Sequence, residues 1–322
     1  MADSYHTSVA SLRPLGGFDE TREEWQRLAA DSDNVFATWE WNALWWRRLG
    51  QGELALTGAC DPAGELRAIL PLYVRDGTGR FVGHGESDQL GPVCAPPSRQ
   101  AAARALVEAL HAGELPCARL LLEDVPQAER WDRLPGARRL DGDPSPVLRA
   151  PDGWEEFLAS RTRHFRAAAR AHERRLARRH ELRFRLCQAP EQVAPDMETL
   201  FRLHRTRWGT ASGALRGVRA DLHRDFAAVA LDRGWLRLWT LALDGEPAAS
   251  QYGLRFGSAE SVYQTGRDPA RASEGVGFVL LVHAIRCALD DGADEYRFLR
   301  GDEAYKRRFA NADAPIESYA VE

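Results

Sequence analysis

The chain has 322 residues, 44% hydrophobic and 28% charged, with a net charge of −4. That length fits one large or two ordinary domains, the composition is that of a soluble globular protein, and the weakly acidic total excludes a general polyanion binder. No apolar run approaches the ~20 residues that span a bilayer, and Met1–Gly17 lacks an apolar core behind a basic start, so neither a transmembrane helix nor a secretory leader is expected.

In chain order, Thr21–Ala30 and Thr38–Leu49 read as helices, the second rich in tryptophan (Trp39, Trp41, Trp45, Trp46). Leu54–Ala59 and Leu66–Val74 are short β-like runs joined by the turn Asp61-Pro62-Ala63-Gly64. Gly91–Ser98 holds three prolines and reads as a loop. Gln100–His111 is helical and Ala118–Leu122 a short buried strand. The Asp, Gly and Pro of 141–146 and 151–153 mark a connection, which predicts a domain boundary near 150 and hence domains at 1–150 and 151–322.

The second half opens on a long predicted helix, 154–180, whose apolar stripe runs Trp154, Phe157, Leu158, Phe165, Ala168, Ala169, Leu176. Leu182–Leu186 is a strand. Pro190–Trp208 is a helix with Met197, Leu200, Phe201, His204 and Trp208 on one face, and Arg219–Arg233 is another. Trp235–Leu243, Pro247–Phe256 and Ser261–Thr265 follow as strands joined by short turns, which makes them antiparallel neighbours. Gly275-Val276-Gly277 opens the helix Phe278–Leu289, where His283 faces the core, and Glu295–Leu299 is a last core strand.

Charge is uneven. Segment 160–185 carries ten arginines, among which Arg163, Arg166, Arg170 and Arg174 share one helix face. That face is either solvated or a track for nucleic-acid phosphates. Of 43 basic residues a single one is lysine, Lys306. The five cysteines, Cys60, Cys94, Cys117, Cys187 and Cys287, are widely spaced, with no CxxC pair or His/Cys cluster. They predict reduced thiols in a cytoplasmic protein and no metal site.

Glycines at a helix start let a ligand approach the backbone, where unpaired N–H groups and the helix dipole favour a phosphate. The antiparallel strands before Gly275 argue against a Rossmann dinucleotide site, which needs a parallel βαβ unit. A strand meander, a G-x-G helix start and a following strand resemble the core of the GNAT acetyltransferases, whose glycine turn holds the pyrophosphate of acyl-CoA. The family pattern Q/R-x-x-G-x-G/A has Ala272 in its first place here, with Arg271 one residue off.

The whole chain resembles the CelD/BcsL-like acetyltransferases, relatives of the FemABX peptidyltransferases. The resemblance rests on 36–41 (FATWEW), 160–166 (SRTRHFR), 203–208 (LHRTRW), Gln251, Tyr263, 266–269 (GRDP) and 298–306 (FLRGDEAYK). It implies an α/β (α+β) chain of tandem GNAT-like domains, each a mixed, mostly antiparallel sheet flanked by helices, with the active cleft mainly in the second. The implied activity is N-acyl transfer to an amine of a small-molecule or sugar-type acceptor, from acyl-CoA or, as in FemABX enzymes, from aminoacyl-tRNA. A non-catalytic binding protein on a degenerate GNAT fold is a third possibility.

Acyl transfer needs the amine deprotonated, the oxyanion stabilised and the leaving group protonated. The candidates are Glu303, with Asp302 and His204, as base; Lys306 as ligand of the oxyanion or a donor phosphate; and Tyr305 as acid. Arg271, Gly275, Val276 and Gly277 are candidates for the donor. Arg207, Trp208, Gln251, Tyr263 and Trp39 are candidates for the acceptor, and the four arginines of 163–174 for a tRNA.

Overall fold

The computed structural model describes residues 9, 11–149, 152–209 and 212–322. They fall into two units: those up to Ser145 together with Ala314–Glu322, and Pro146–Asp313. The boundary expected near 150 falls on residues 150–151, outside the described residues, as do 1–8 and 10 of the 1–17 span read for a leader.

In the first unit, strands β1 (Ser11–Pro14), β2 (Glu53–Cys60), β3 (Leu66–Arg75), β4 (Thr78–Phe81), β5 (Arg119–Pro126) and β6 (Ala137–Asp143) are joined by the C-terminal strand β14 (Ile316–Val321). The order is β1-β2-β3-β4-β5-β14-β6. All neighbours are antiparallel except β4 and β5, which pair through Thr78↔Arg119 and Gly79↔Leu120. Helices α1 (Phe18–Ala29), α2 (Trp39–Leu49) and α3 (Pro96–His111) complete this unit. The helix α2 begins at Thr38, whose hydroxyl accepts from Trp41 N. Trp25, Trp41 and Trp131 are fully buried, so the tryptophans here serve mainly as core.

The second unit repeats the plan. Its strands are β7 (Pro146–Arg149), β8 (Leu182–Leu186), β9 (Leu236–Leu243), β10 (Glu246–Phe256), β11 (Ala259–Arg267), β12 (Glu295–Arg297) and β13 (Ala312–Asp313), in the order β13-β7-β12-β11-β10-β9-β8. Again one pair is parallel, β11 with β12. The helices are α4 (Trp154–Ser160), α5 (Arg163–Ala177), α6 (Pro190–Trp208), α7 (Gly217–Asp232), α8 (Val276–Asp290) and the single turn α9 (Ala304–Arg307).

Several findings depart from the sequence reading. The helix expected from Gln100 starts at Pro96, inside the segment read as a loop, because proline suits the first helical positions. The long helix expected over 154–180 is two, because the backbone at Arg161 and Thr162 is extended and the Thr162 hydroxyl caps a new helix by accepting from Phe165 N at 3.2 Å. Residues 146–149 pair in the second sheet and 316–321 in the first, so the strands near the expected boundary and at the C-terminus have exchanged sheets. Trp208, read as part of a buried stripe, is 41% exposed.

Candidate functional site

The second sheet opens at its parallel junction. β11 pairs with β10 through Arg267, but its pairing with β12 covers only Ala259–Ser261. Beyond that point lies a cavity of about 230 Å³, bounded by β10, the free half of β11, the start of α8 and the turn of α9. A β-bulge at Tyr252/Gly253 bends the β10–β11 pair next to it.

The approach to α8 is built locally. Asp268 accepts from Ala270 N at 2.9 Å and caps the turn Pro269–Glu274. Gly275 then turns left-handed at φ +74° and becomes the N-cap of α8. A Cβ at Gly275 would stand 2.8 Å from His172 Nδ1 of α5, so both the conformation and the space require glycine. Gly277 carries the Arg267 side chain 3.3 Å from where its Cβ would be. Gly275 and Gly277 both line the cavity, at the end of a helix where the first amides have no intrahelical acceptor.

Three guanidiniums also line it, Arg207, Arg267 and Arg308, and no carboxylate does among the described residues. Arg308 lies 4.6 Å over the Phe278 ring in the first turn of α8. Arg207 comes from α6, whose backbone presses on β11 at Gly266: a Cβ there would be 2.6 Å from His204 N. That approach lets Arg207 Nη1 donate to Thr265 Oγ1 at 3.1 Å while its guanidinium lies 4.5 Å over Trp208. Burial, then the nearby Arg267 charge, lower the Arg207 pKa. Burial also pushes the Tyr305 phenol up to about 12, with Glu303 adding to it and Arg207 opposing, so at neutral pH Tyr305 holds its proton at the cavity wall. Gln251 lines the cavity and donates through Nε2 to Tyr296 Oη at 2.7 Å.

Of the residues singled out in the sequence, Tyr305, Gln251, Arg207, Gly275 and Gly277 therefore come together around one cavity. The side chains of the others do not line it. The Lys306 ammonium is buried and surrounded: it donates to the carbonyls of Arg300 at 2.5 Å and Leu299 at 3.3 Å, and meets Glu303 Oε2 at 2.9 Å. It ties together the turn in which Leu299 (φ +58°) and Gly301 (φ +110°) are left-handed, just before Tyr305 and Arg308. Glu303 is engaged with Lys306, and Asp302 with Arg307. His204 is 3% exposed and bonded to Gln264, with its pKa lowered by burial and then by Arg207. Its ring centroid lies 6.5 Å from that of Trp208. Val276 is buried. Arg271 pairs with Glu274 at 3.0 Å. Tyr263 packs 4.8 Å from His223.

Trp39 belongs to the first unit, where its indole donates to Phe18 O at 2.7 Å beneath the Arg22 guanidinium. On α5, Arg166 donates to Arg161 O at 2.6 Å and Arg170 meets Glu155 at 3.4 Å, while Arg163 and Arg174 are exposed. His283, read as core, is stacked on Phe184 at 3.8 Å.

Arg267, Arg308 and His172 were not singled out. Arg267 stood inside a quoted motif, and only the fold turns it toward Gly277. Among the described residues no group of three or more His, Cys, Asp or Glu is arranged to hold a metal ion, and no helix is long and apolar enough to cross a membrane.

Two sheets with one parallel junction each, flanked by helices, define a protein of tandem GNAT-like domains. Residues 163–307 match the family model described as an acetyltransferase (GNAT) domain, and acyltransferase is the enzyme class this domain supports. No curated protein matches the chain. Among solved structures, FemX is similar with a TM-score of 0.65 at 11% identity, covering 96% of each chain. The C-terminal domain of a putative lysylphosphatidylglycerol synthetase from Agrobacterium fabrum gives 0.59 at 13% identity, over 95% of this chain and 92% of that one. A tandem GNAT protein from the clavulanic acid biosynthesis pathway gives 0.51 at 15%, over 97% and 98%.

Proposed function

We propose that the second unit transfers an acyl group from acyl-CoA to an amine by direct attack, on a chain of the CelD/BcsL-like type. The observation that carries this reading is the helix start at Gly275–Gly277, which lines the opened junction of β11 and β12 together with Arg267 and Arg308 and, among the described residues, without a carboxylate. The donor's phosphates take the first-turn amides of α8 and these two guanidiniums. The thioester then lies along the free half of β11. The amine nitrogen attacks the carbonyl carbon, the C–N bond forms, the C–S bond breaks, and the thiolate takes the Tyr305 proton while the amine releases its own to water. Positioning supplies much of the rate. Lys306 acts indirectly, by holding the turn that carries Tyr305.

Calorimetry with CoA tests this: one site per chain is expected, lost on Gly275→Val. If CoA does not bind while charged tRNA supports turnover, the reading falls.

The aminoacyl-tRNA donor implied by the FemABX resemblance is the second reading. One observation favours it: the arginine-rich helix α5 also delivers His172 to Gly275, so its exposed Arg163 and Arg174 lie on the element that borders the donor end. Such a donor would lose affinity steeply as salt rises, with log K linear in log salt concentration.

A further inference from the structure

The cavity has two ends, and the donor accounts for one. At the start of α8, Arg267 packs on Gly277 and Arg308 on Phe278. Arg207 reaches in from another helix, against Thr265 and close to Tyr305. Its guanidinium is half-buried beside a second cation, Arg267, and the carboxylate that acts on it, Glu303, is held by Lys306 at 2.9 Å. Like charges gathered in a partly desolvated space are unfavourable unless an anion joins them. One face of the Arg207 plane is covered by Trp208 and one N–H is taken by Thr265, which fixes the orientation of the remaining fork. A fork held in place is the geometry that binds a planar carboxylate by two parallel hydrogen bonds.

We propose that Arg207 binds an oxyanion of the acceptor, so that the substrate is an amine bearing a carboxylate. Resting on the acyl-transfer reading above, this narrows the acceptor class to amino acids and related acidic amines. The carboxylate docks on Arg207, opposite the donor's phosphates, and leaves the amine directed at the thioester beside Tyr305. Neutral amines and amino sugars lack the group that pairs with the Arg207 fork, and so bind less well. The same anion chemistry has a second source, a phosphate of the donor itself, and the test separates the two.

Wild type, Arg207→Gln and Arg207→Lys are compared, each checked for an unchanged melting temperature. CoA binding is measured by calorimetry. Turnover of acetyl-CoA is followed with glutamate, 4-aminobutanoate and 6-aminohexanoate, each against its carboxamide. Wild type should prefer at least one acid over its amide by about 30-fold in kcat/KM; Arg207→Gln should erase that preference through KM, and Arg207→Lys should restore part of it, with CoA affinity changed less than about threefold throughout. Acids and amides turned over equally by the wild type, or by none of the three proteins, would overturn the proposal. So would a loss of CoA affinity in Arg207→Gln, which assigns the anion to the donor. Failure of wild type to bind CoA sinks the acyl-CoA reading instead. The acids are then titrated into wild type and Arg207→Gln by calorimetry; equal affinity, or none, overturns the acceptor site as well.

Discussion

The two units carry the same junction, a parallel strand pair crossed by a helix, yet one is closed and the other open. In the second unit α8 starts with Gly275-Val276-Gly277 against the cavity of about 230 Å³. In the first, α3 starts with Pro96-Pro97, which offer no N–H at all. Beside Arg99 of its first turn, the loop 89–93 and Glu129 enclose about 10 Å³, room for about one water. There the buried Glu129 accepts from Trp131 Nε1 at 3.0 Å and lies 3.7 Å from Arg99. A carboxyl group of the protein, rather than open space, stands beside Arg99. Topology therefore supplies the frame twice, and a few residues at the helix start decide whether it can bind an anion.

The contrast breaks most sharply at Gly275. A valine there meets a left-handed backbone and the His172 ring, at about 3 kcal/mol or more, so donor affinity should fall by at least about 100-fold. Calorimetry checks this, and undiminished affinity would place the donor elsewhere.

Next in size is the closed junction's pH response. Burial, opposed by Arg99 and Trp131, raises Glu129 to about 7 from its ordinary 4.5. The folded first unit therefore holds a proton that the unfolded chain releases. This contribution is complete below about pH 4.5 and lost as pH rises through about 7, worth about 3 kcal/mol in all. Glu129→Gln should flatten that part of the stability profile in urea titrations at pH 5 and pH 8, and an unchanged slope would contradict the burial argument.

Tyr305→Phe should lower kcat about 30-fold, or about 2 kcal/mol, leaving CoA affinity and melting temperature nearly intact. A variant as active as wild type would remove Tyr305 from the proton path. The smallest effect is expected on α5. Changing the exposed Arg163 and Arg174 to Gln should shift stability by less than about 0.5 kcal/mol. Under the acyl-CoA reading it should also leave the salt dependence of turnover unchanged, whereas a flattened salt slope would favour the tRNA donor.

Much of the second unit was legible in the chain. Three consecutive strands with short turns, a G-x-G helix start and the apolar stripe of α6 each have a local cause, the period of the pattern or the chemistry of a turn. Lys306 was legible as unusual but its surroundings were not: two left-handed residues and backbone carbonyls meet its ammonium only when the turn after β12 closes on it. The exchange of strands was illegible for a similar reason. Pairing partners of 146–149 and 316–321 lie more than a hundred residues away, and short strands carry no mark of which sheet will take them.

What the sequence determined by itself was local: the period of most helices and strands, where many of the turns fall, and a glycine pair at a helix start near 276. Tertiary structure alone decided which guanidiniums share a space and which acids are already spent. Arg207, Arg267 and Arg308 come from a helix, a strand and a final turn, and their common cavity exists because β12 stops pairing at Ser261. Charge proximity is a property of distance in space, and the intervening folding, not the spacing along the chain, sets that distance.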